Sequence, residues 1–200
     1  MAVIGITGGI ATGKSSFVRA LLRQLPGELF DADQAARELL AGDPEVKTAV
    51  QREFGEEIYD RSGNPDRVRL RDLVFNNDEN RRRLEVILHP AIRSRWTSLA
   101  DKHRLADTLF FVDIPLLFET GAEAHFDRIV VVACTAATQQ RRLLELRGLS
   151  PHLAERVLSA QLDLGTKIKK ADHLIWNDST VLCLDGQASL FAGWLRKYYG

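Results

Sequence analysis

Eight residues near the start constrain this chain more than any others: Gly8-Gly9-Ile10-Ala11-Thr12-Gly13-Lys14-Ser15. They fit G-x-x-x-x-G-K-[ST], with an apolar run, Val3–Ile6, before them and a helical pattern, Ser15–Leu25, after them. In a strand, loop and helix of this kind the glycines let backbone N–H groups converge on phosphate oxygens, and the helix N-terminus adds partial positive charge. Lys14 is then expected to reach the β- and γ-phosphates of a nucleoside triphosphate, the Ser15 hydroxyl to ligate Mg2+, and Ser16 to touch the α-phosphate.

The remaining pattern predicts the scaffold. Val3–Ile6, Leu109–Val112 and Ile129–Val132 are apolar runs without alternation, as expected of buried parallel strands; Leu174–Trp176 and the weaker Glu28–Phe30, ending at Asp31, add two more. Helical periodicity covers Gln34–Leu40, Glu45–Phe54, Arg67–Phe75, Glu79–Ala100, Ala136–Glu145, Pro151–Leu162 and Thr180–Tyr199. Strands alternating with helices predict an α/β, doubly wound parallel sheet. Asp33–Thr108 is far longer than the dozen or so residues of an ordinary crossover, so an inserted helical subdomain is expected there. Its later part, Arg61–Arg104, is cationic, with eleven basic and six acidic residues, although Arg81, Arg82 and Arg83 also suit a solvated helix face. His89-Pro90 reads as a helix-breaking pair.

Lys+Arg 27 against Asp+Glu 27 leaves nothing global to draw the chain to nucleic acid or an acidic membrane. No apolar run approaches the roughly 18 residues of a spanning helix, and the first residues lack the features of a signal peptide. A cytoplasmic monomer is expected. Cys134 and Cys183 lie far apart in apolar surroundings and are expected to be reduced core thiols, and the five His show no metal-ligand spacing. The Asn-Lys-x-Asp and Asp-x-x-Gly motifs of a guanine-nucleotide switch are absent. A small-molecule kinase leads, with a non-catalytic nucleotide-binding protein as the other class.

In open α/β sheets ligands bind beyond the carboxyl ends of the strands, which singles out Asp31, Asp33 and Asp113. Asp113 either holds Mg2+ or begins the turn at Ile114-Pro115. Asp33 either orients an acceptor hydroxyl as a general base or caps the helix it precedes. Arg141, Arg142 and Arg147 either close over the phosphates or cover a surface helix.

In combination these residues resemble the dephospho-CoA kinase family. Beyond the glycine-rich loop, the matching segments are Asp31-Ala32-Asp33 with Arg37, Asp66-Arg67, Leu84-Glu85 leading to His89-Pro90, Asp113-Ile114-Pro115-Leu116-Leu117-Phe118-Glu119, Gln139 with Arg142, and Gln161 with Lys167, Ala171-Asp172 and Asn177. The resemblance implies phosphorylation of the ribose 3′-hydroxyl of dephospho-coenzyme A by ATP, with Mg2+, on a P-loop fold like that of the nucleoside monophosphate kinases. It implies a nucleotide core at 1–32 and 105–200, a helical acceptor subdomain at 33–104 and a small lid at 138–150. Lys14, Asp33 and Arg142 would be catalytic, with Asp33 as base and Arg142 in the lid. Arg37, His89, Pro115, Leu116 and Leu117 would hold the acceptor, Arg142 and Arg147 would bind ATP, and Asn177 would read adenine. Another small-molecule or nucleoside monophosphate kinase is the alternative. Two departures stand out: Ala11 replaces a frequent Gly, which matters little if its dihedrals are ordinary, and Leu146 stands where a second lid arginine is expected, one residue before Arg147.

Overall fold

The central strand β1 (Val3–Gly8) is buried at every position, which explains its unbroken apolar pattern. The structure, a computed structural model, describes residues 2–75 and 77–200; Met1 and Asn76, included in the expected core and helical subdomain, lie outside the described residues. The other strands are β2 (Glu28–Asp31), β3 (Phe110–Asp113), β4 (Arg128–Ala133) and β5 (His173–Trp176), in the order β2-β3-β1-β4-β5. β1 runs parallel to β3, with Ile6 opposite Asp113, and parallel to β4, with Gly8 opposite Val132; β4 runs parallel to β5. This is the α/β parallel sheet expected from the sequence. The register brings the loop after β1 and the carboxylate closing β3 to the same edge of the sheet.

The helices are α1 (Lys14–Gln24), α2 (Ala32–Gly42), α3 (Pro44–Phe54), α4 (Arg67–Phe75), α5 (Asp78–Ala106), α6 (Ala136–Arg141), α7 (Pro151–Ser159), α8 (Leu164–Lys169) and α9 (Val181–Tyr199). Side-chain oxygens fix several starts: Asp43 accepts from Glu45 and Val46 ahead of Pro44, Ser150 from Leu153 ahead of Pro151, and Thr180 from Cys183.

The chain falls into two compact units. One comprises the residues up to Phe30 together with Ala100–Gly200. In its core, Phe17, Val18 and Leu21 of α1 and Leu184, Ala188, Phe191 and Leu195 of α9 gather with Ile4, Ile6, Val130, Val132 and Ile175 of the sheet. The other, Asp31–Leu99, is helical and has its own core of Leu39, Val46, Val50, Ile58, Tyr59, Leu70 and Leu88.

Three expectations are corrected and one element is added. His89-Pro90 breaks nothing, since Pro90 lies inside the 29-residue α5; proline forfeits one hydrogen bond, and burial of Leu88 and Trp96 on either side sustains the helix. The run Ala136–Glu145 is divided, with α6 passing into a π-turn over Arg142–Leu146. Residues 164–169, not assigned to an element from the sequence, form α8. Cys134 is a buried free thiol as expected, but Cys183 is exposed because it stands one residue off the buried face of α9.

Candidate nucleotide site and acceptor residues

The loop between β1 and α1 is shaped by two glycines. Gly13 has φ +93°, and a Cβ there would strike the Asn177 amide; a Cβ on Gly8 would land on the Val132 carbonyl oxygen. Gly13 is the N-cap of α1, brings no side-chain cap, and no acidic residue occupies the first turn, so the positive end of the helix is left to an incoming anion.

Side chains from later in the chain hold the loop in place. The Thr12 hydroxyl donates to the Gly9 carbonyl at 2.8 Å. At the tip, the Ile10 N–H donates to Gln161 Oε1 at 3.0 Å and the Ile10 carbonyl accepts from Gln139 Nε2 at 2.8 Å. Arg142 Nη1 donates to the Ala11 and Thr12 carbonyls at 3.2 and 3.1 Å, and its Nη2 to the Asn177 carbonyl at 2.8 Å. The buried Asn177 completes the brace, its Nδ2 donating to the Thr12 carbonyl at 2.8 Å. Such bracing leaves little reorganisation to be done when phosphate arrives.

Ala11 departs from the sequence expectation. Its φ of +59° places it in the left-handed region, where a Cβ costs about 1–2 kcal/mol, so the Gly-to-Ala difference is not neutral.

Lys14 Nζ pairs with Asp113 Oδ1 in a largely buried ion pair. Ser15, on the first turn of α1, is exposed. Among the described residues no group of three His, Cys, Asp or Glu is arranged to hold a metal by itself. One hydroxyl and one carboxylate are hard oxygen donors that suit Mg2+ arriving with nucleotide phosphates and keeping water in its remaining positions.

Thus Gly8, Gly9, Ile10, Ala11, Thr12, Gly13, Lys14, Ser15, Ser16, Asp113, Arg142 and Asn177 come together in one unit. Asn177 spends an amide donor on the loop rather than facing outward, and Arg142 is bonded to the loop rather than standing free. Arg147 is exposed. Its N–H bonds the Arg142 carbonyl at 3.2 Å across the π-turn, one hydrogen-bonded turn further on. Of the trio after β3, Leu117 is fully buried near Gly5, leaving Pro115 and Leu116 as the partly exposed members.

In the helical unit Asp33 is exposed on the first turn of α2. It is not the cap: Asp31 accepts the Gln34 N–H at 2.9 Å. Arg37 is exposed and donates through Nε to Gln34 Oε1 at 3.2 Å. His89, half-buried on α5, is held below the ordinary imidazole pKa by burial, with Glu85 opposing and Arg93 reinforcing the shift. Lys167, the fully buried lysine of α8, Gln139 and Gln161 stand among the residues that carry the family resemblance, but the sequence assigns them no role, and their local pattern does not show that they reach the loop.

A sequence model of dephospho-CoA kinase matches residues 2–182. The chain is 39% identical over 180 residues to a dephospho-CoA kinase of Geobacillus kaustophilus, covering 88% of each chain. It is 40% identical over 199 residues to that of Anaeromyxobacter dehalogenans, covering 98% of this chain and 93% of the relative. The solved dephospho-CoA kinase from Campylobacter jejuni superposes with a TM-score of 0.74 at 27% identity, over 98% of this chain and 97% of the other.

Proposed function

The chain belongs to the dephospho-CoA kinase family, and from that premise we propose that it transfers the γ-phosphoryl group of ATP to the ribose 3′-hydroxyl of dephospho-coenzyme A, giving coenzyme A and ADP. The observation that carries the reading is the braced loop before an uncapped helix, with Lys14 paired to Asp113 at its mouth.

Phosphoryl transfer asks for positioning and charge stabilisation more than covalent chemistry from the protein. The Lys14–Asp113 pair is the resting arrangement: the phosphates, more highly charged than one carboxylate, draw Lys14 to the β- and γ-oxygens and release Asp113. Ser15 and Asp113, the latter directly or through water, would hold Mg2+, which would supply neutralisation of β- and γ-phosphate charge. Arg142 braces the loop that holds the phosphates, and Arg147 supplies an exposed guanidinium for the transferring group. Asp33 orients the acceptor hydroxyl and takes its proton as the new P–O bond forms and the bond to ADP breaks. Arg37, His89, Pro115 and Leu116 bind the acceptor, with the buried Leu117 anchoring its neighbours Pro115 and Leu116.

Among the described residues no helix is long and apolar enough to cross a membrane. The reading is of a cytoplasmic monomer acting on two small molecules, without nucleic acid or membrane partners. ADP release should be measured with ATP and Mg2+ against dephospho-coenzyme A, AMP, CMP, UMP, adenosine and no acceptor. Release stimulated only by dephospho-coenzyme A is expected; turnover on another acceptor would overturn the substrate, and none on any would overturn the kinase.

A further inference from the structure

The least accessible charge in the nucleotide-binding unit belongs to a residue that the mechanism above does not use. Lys167, on α8, has a side-chain exposure of 0%. An ammonium carries three N–H donors, and each has a target: Glu119 Oε1 at 2.8 Å, the Pro115 carbonyl at 3.0 Å and the Gly8 carbonyl at 3.4 Å. The Pro115 carbonyl also accepts from the Thr7 hydroxyl at 3.1 Å, and Glu119 Oε1 from the Leu162 N–H at 2.8 Å. Lys167 therefore ties together the first glycine of the phosphate loop, the turn two residues past Asp113, and α8.

Stability alone does not account for a charge there. Burying an ammonium costs several kcal/mol before pairing, and replacing a buried ion pair by apolar groups of similar volume is often neutral or stabilising. What an ammonium supplies and a methionine cannot is a fixed separation between two backbone carbonyls. One begins the loop that carries Lys14; the other follows the strand that carries Asp113.

We propose that Lys167 is a positioning residue for phosphoryl transfer, holding the Gly8 and Pro115 carbonyls so that the loop bearing Lys14 stays in register with the strand end bearing Asp113. The proposal rests on the kinase reading. Failure of that reading shows in the unmodified protein, as absence of dephospho-coenzyme A-dependent ADP release, before any variant is compared.

The test separates positioning from charge balance. Lys167→Met alone leaves Glu119 facing a buried methionine and is expected to lower the Tm. Lys167→Met combined with Glu119→Gln removes both charges and is expected to recover the Tm. In that double variant kcat should still fall by at least about tenfold, with KM for dephospho-coenzyme A within about threefold, since misplacement of about 1 Å costs up to about 100-fold in turnover. A double variant with wild-type Tm and kcat within about threefold of wild type would overturn the proposal, leaving Lys167 a neutralised core residue. Glu119→Gln alone keeps the ammonium on both carbonyls and should retain kcat within about threefold. A tenfold loss there would also overturn it, by placing the effect in the ion pair; this arm decides the matter if neither Lys167 variant folds.

Discussion

At Ala11 the backbone adopts φ +59°, a conformation that an L side chain resists, while the Arg142 guanidinium holds the Ala11 and Thr12 carbonyls. Glycine at this position escapes a cost of about 1–2 kcal/mol but adds about 0.5–1 kcal/mol of unfolded-state entropy to be lost. Ala11→Gly is therefore expected to leave stability unchanged or raise it by up to about 1.5 kcal/mol in urea denaturation; a clear loss would show that the loop had relaxed around alanine. Asp31 and Asp33 make a second contrast two residues apart. Asp31 carries the cap, so Asp31→Ala should cost about 1 kcal/mol of stability, whereas Asp33→Asn should leave the Tm unchanged. Turnover should respond in the other direction: Asp33→Asn is expected to lower kcat by about 100-fold with ATP affinity nearly intact. Near wild-type kcat in Asp33→Asn would remove the base from the mechanism.

Among the elements, the turn after α6 bears most directly on the lid. On an α-helix the residue four positions after Arg142 would stand above it, and that residue is Leu146; the π-turn bonds position i+5 instead, and the Arg147 N–H meets the Arg142 carbonyl. One extra residue in the turn thus compensates for one extra residue in the spacing. Arg147→Ala is expected to lower kcat by roughly 100-fold, and adding Leu146→Arg should fail to restore it, because that position faces elsewhere on the π-turn. Restoration in the combined variant would mean that the segment reverts to α-helix during catalysis. The same turn shows where the sequence stops being legible. The phosphate loop was readable because its chemistry is local, eight consecutive residues between a strand and a helix, and β1, β3 and β4 because burial on both faces leaves an unbroken apolar run. A π-turn, a proline carried through α5 and a Cys183 one position off the buried face of α9 are decided by packing against distant residues. Lys167 is the extreme case, since α8 is only six residues long and its three acceptors come from positions 8, 115 and 119.

Across the whole molecule, each compact unit contains a histidine whose imidazole is held below its ordinary pKa, and the two report on stability separately. His89 in the helical unit and His173 in the sheet unit are both lowered chiefly by burial; His173 sits against the rings of Phe191 and Trp194, at 5.0 and 4.2 Å between centroids. With a depressed pKa in the folded state, the unfolded chain binds the proton first. Between the folded value and the ordinary value of about 6.5 the unfolded state therefore carries more protons, and stability rises with pH. Each imidazole contributes stability that is fully present above about 6.5 and is lost as pH falls from there through the folded-state value. The Tm is accordingly expected to fall between pH 7.5 and pH 5.5. His173→Phe, which keeps an aromatic ring between Phe191 and Trp194, should flatten part of that slope, and His89→Asn another part. If the chain unfolds in one transition, the two reductions should add in a single Tm; if the units melt apart, each variant should flatten only its own transition. A Tm that stays level over this window, or a slope that neither substitution changes, would show that protonation at these two sites does not govern the acid sensitivity of the fold.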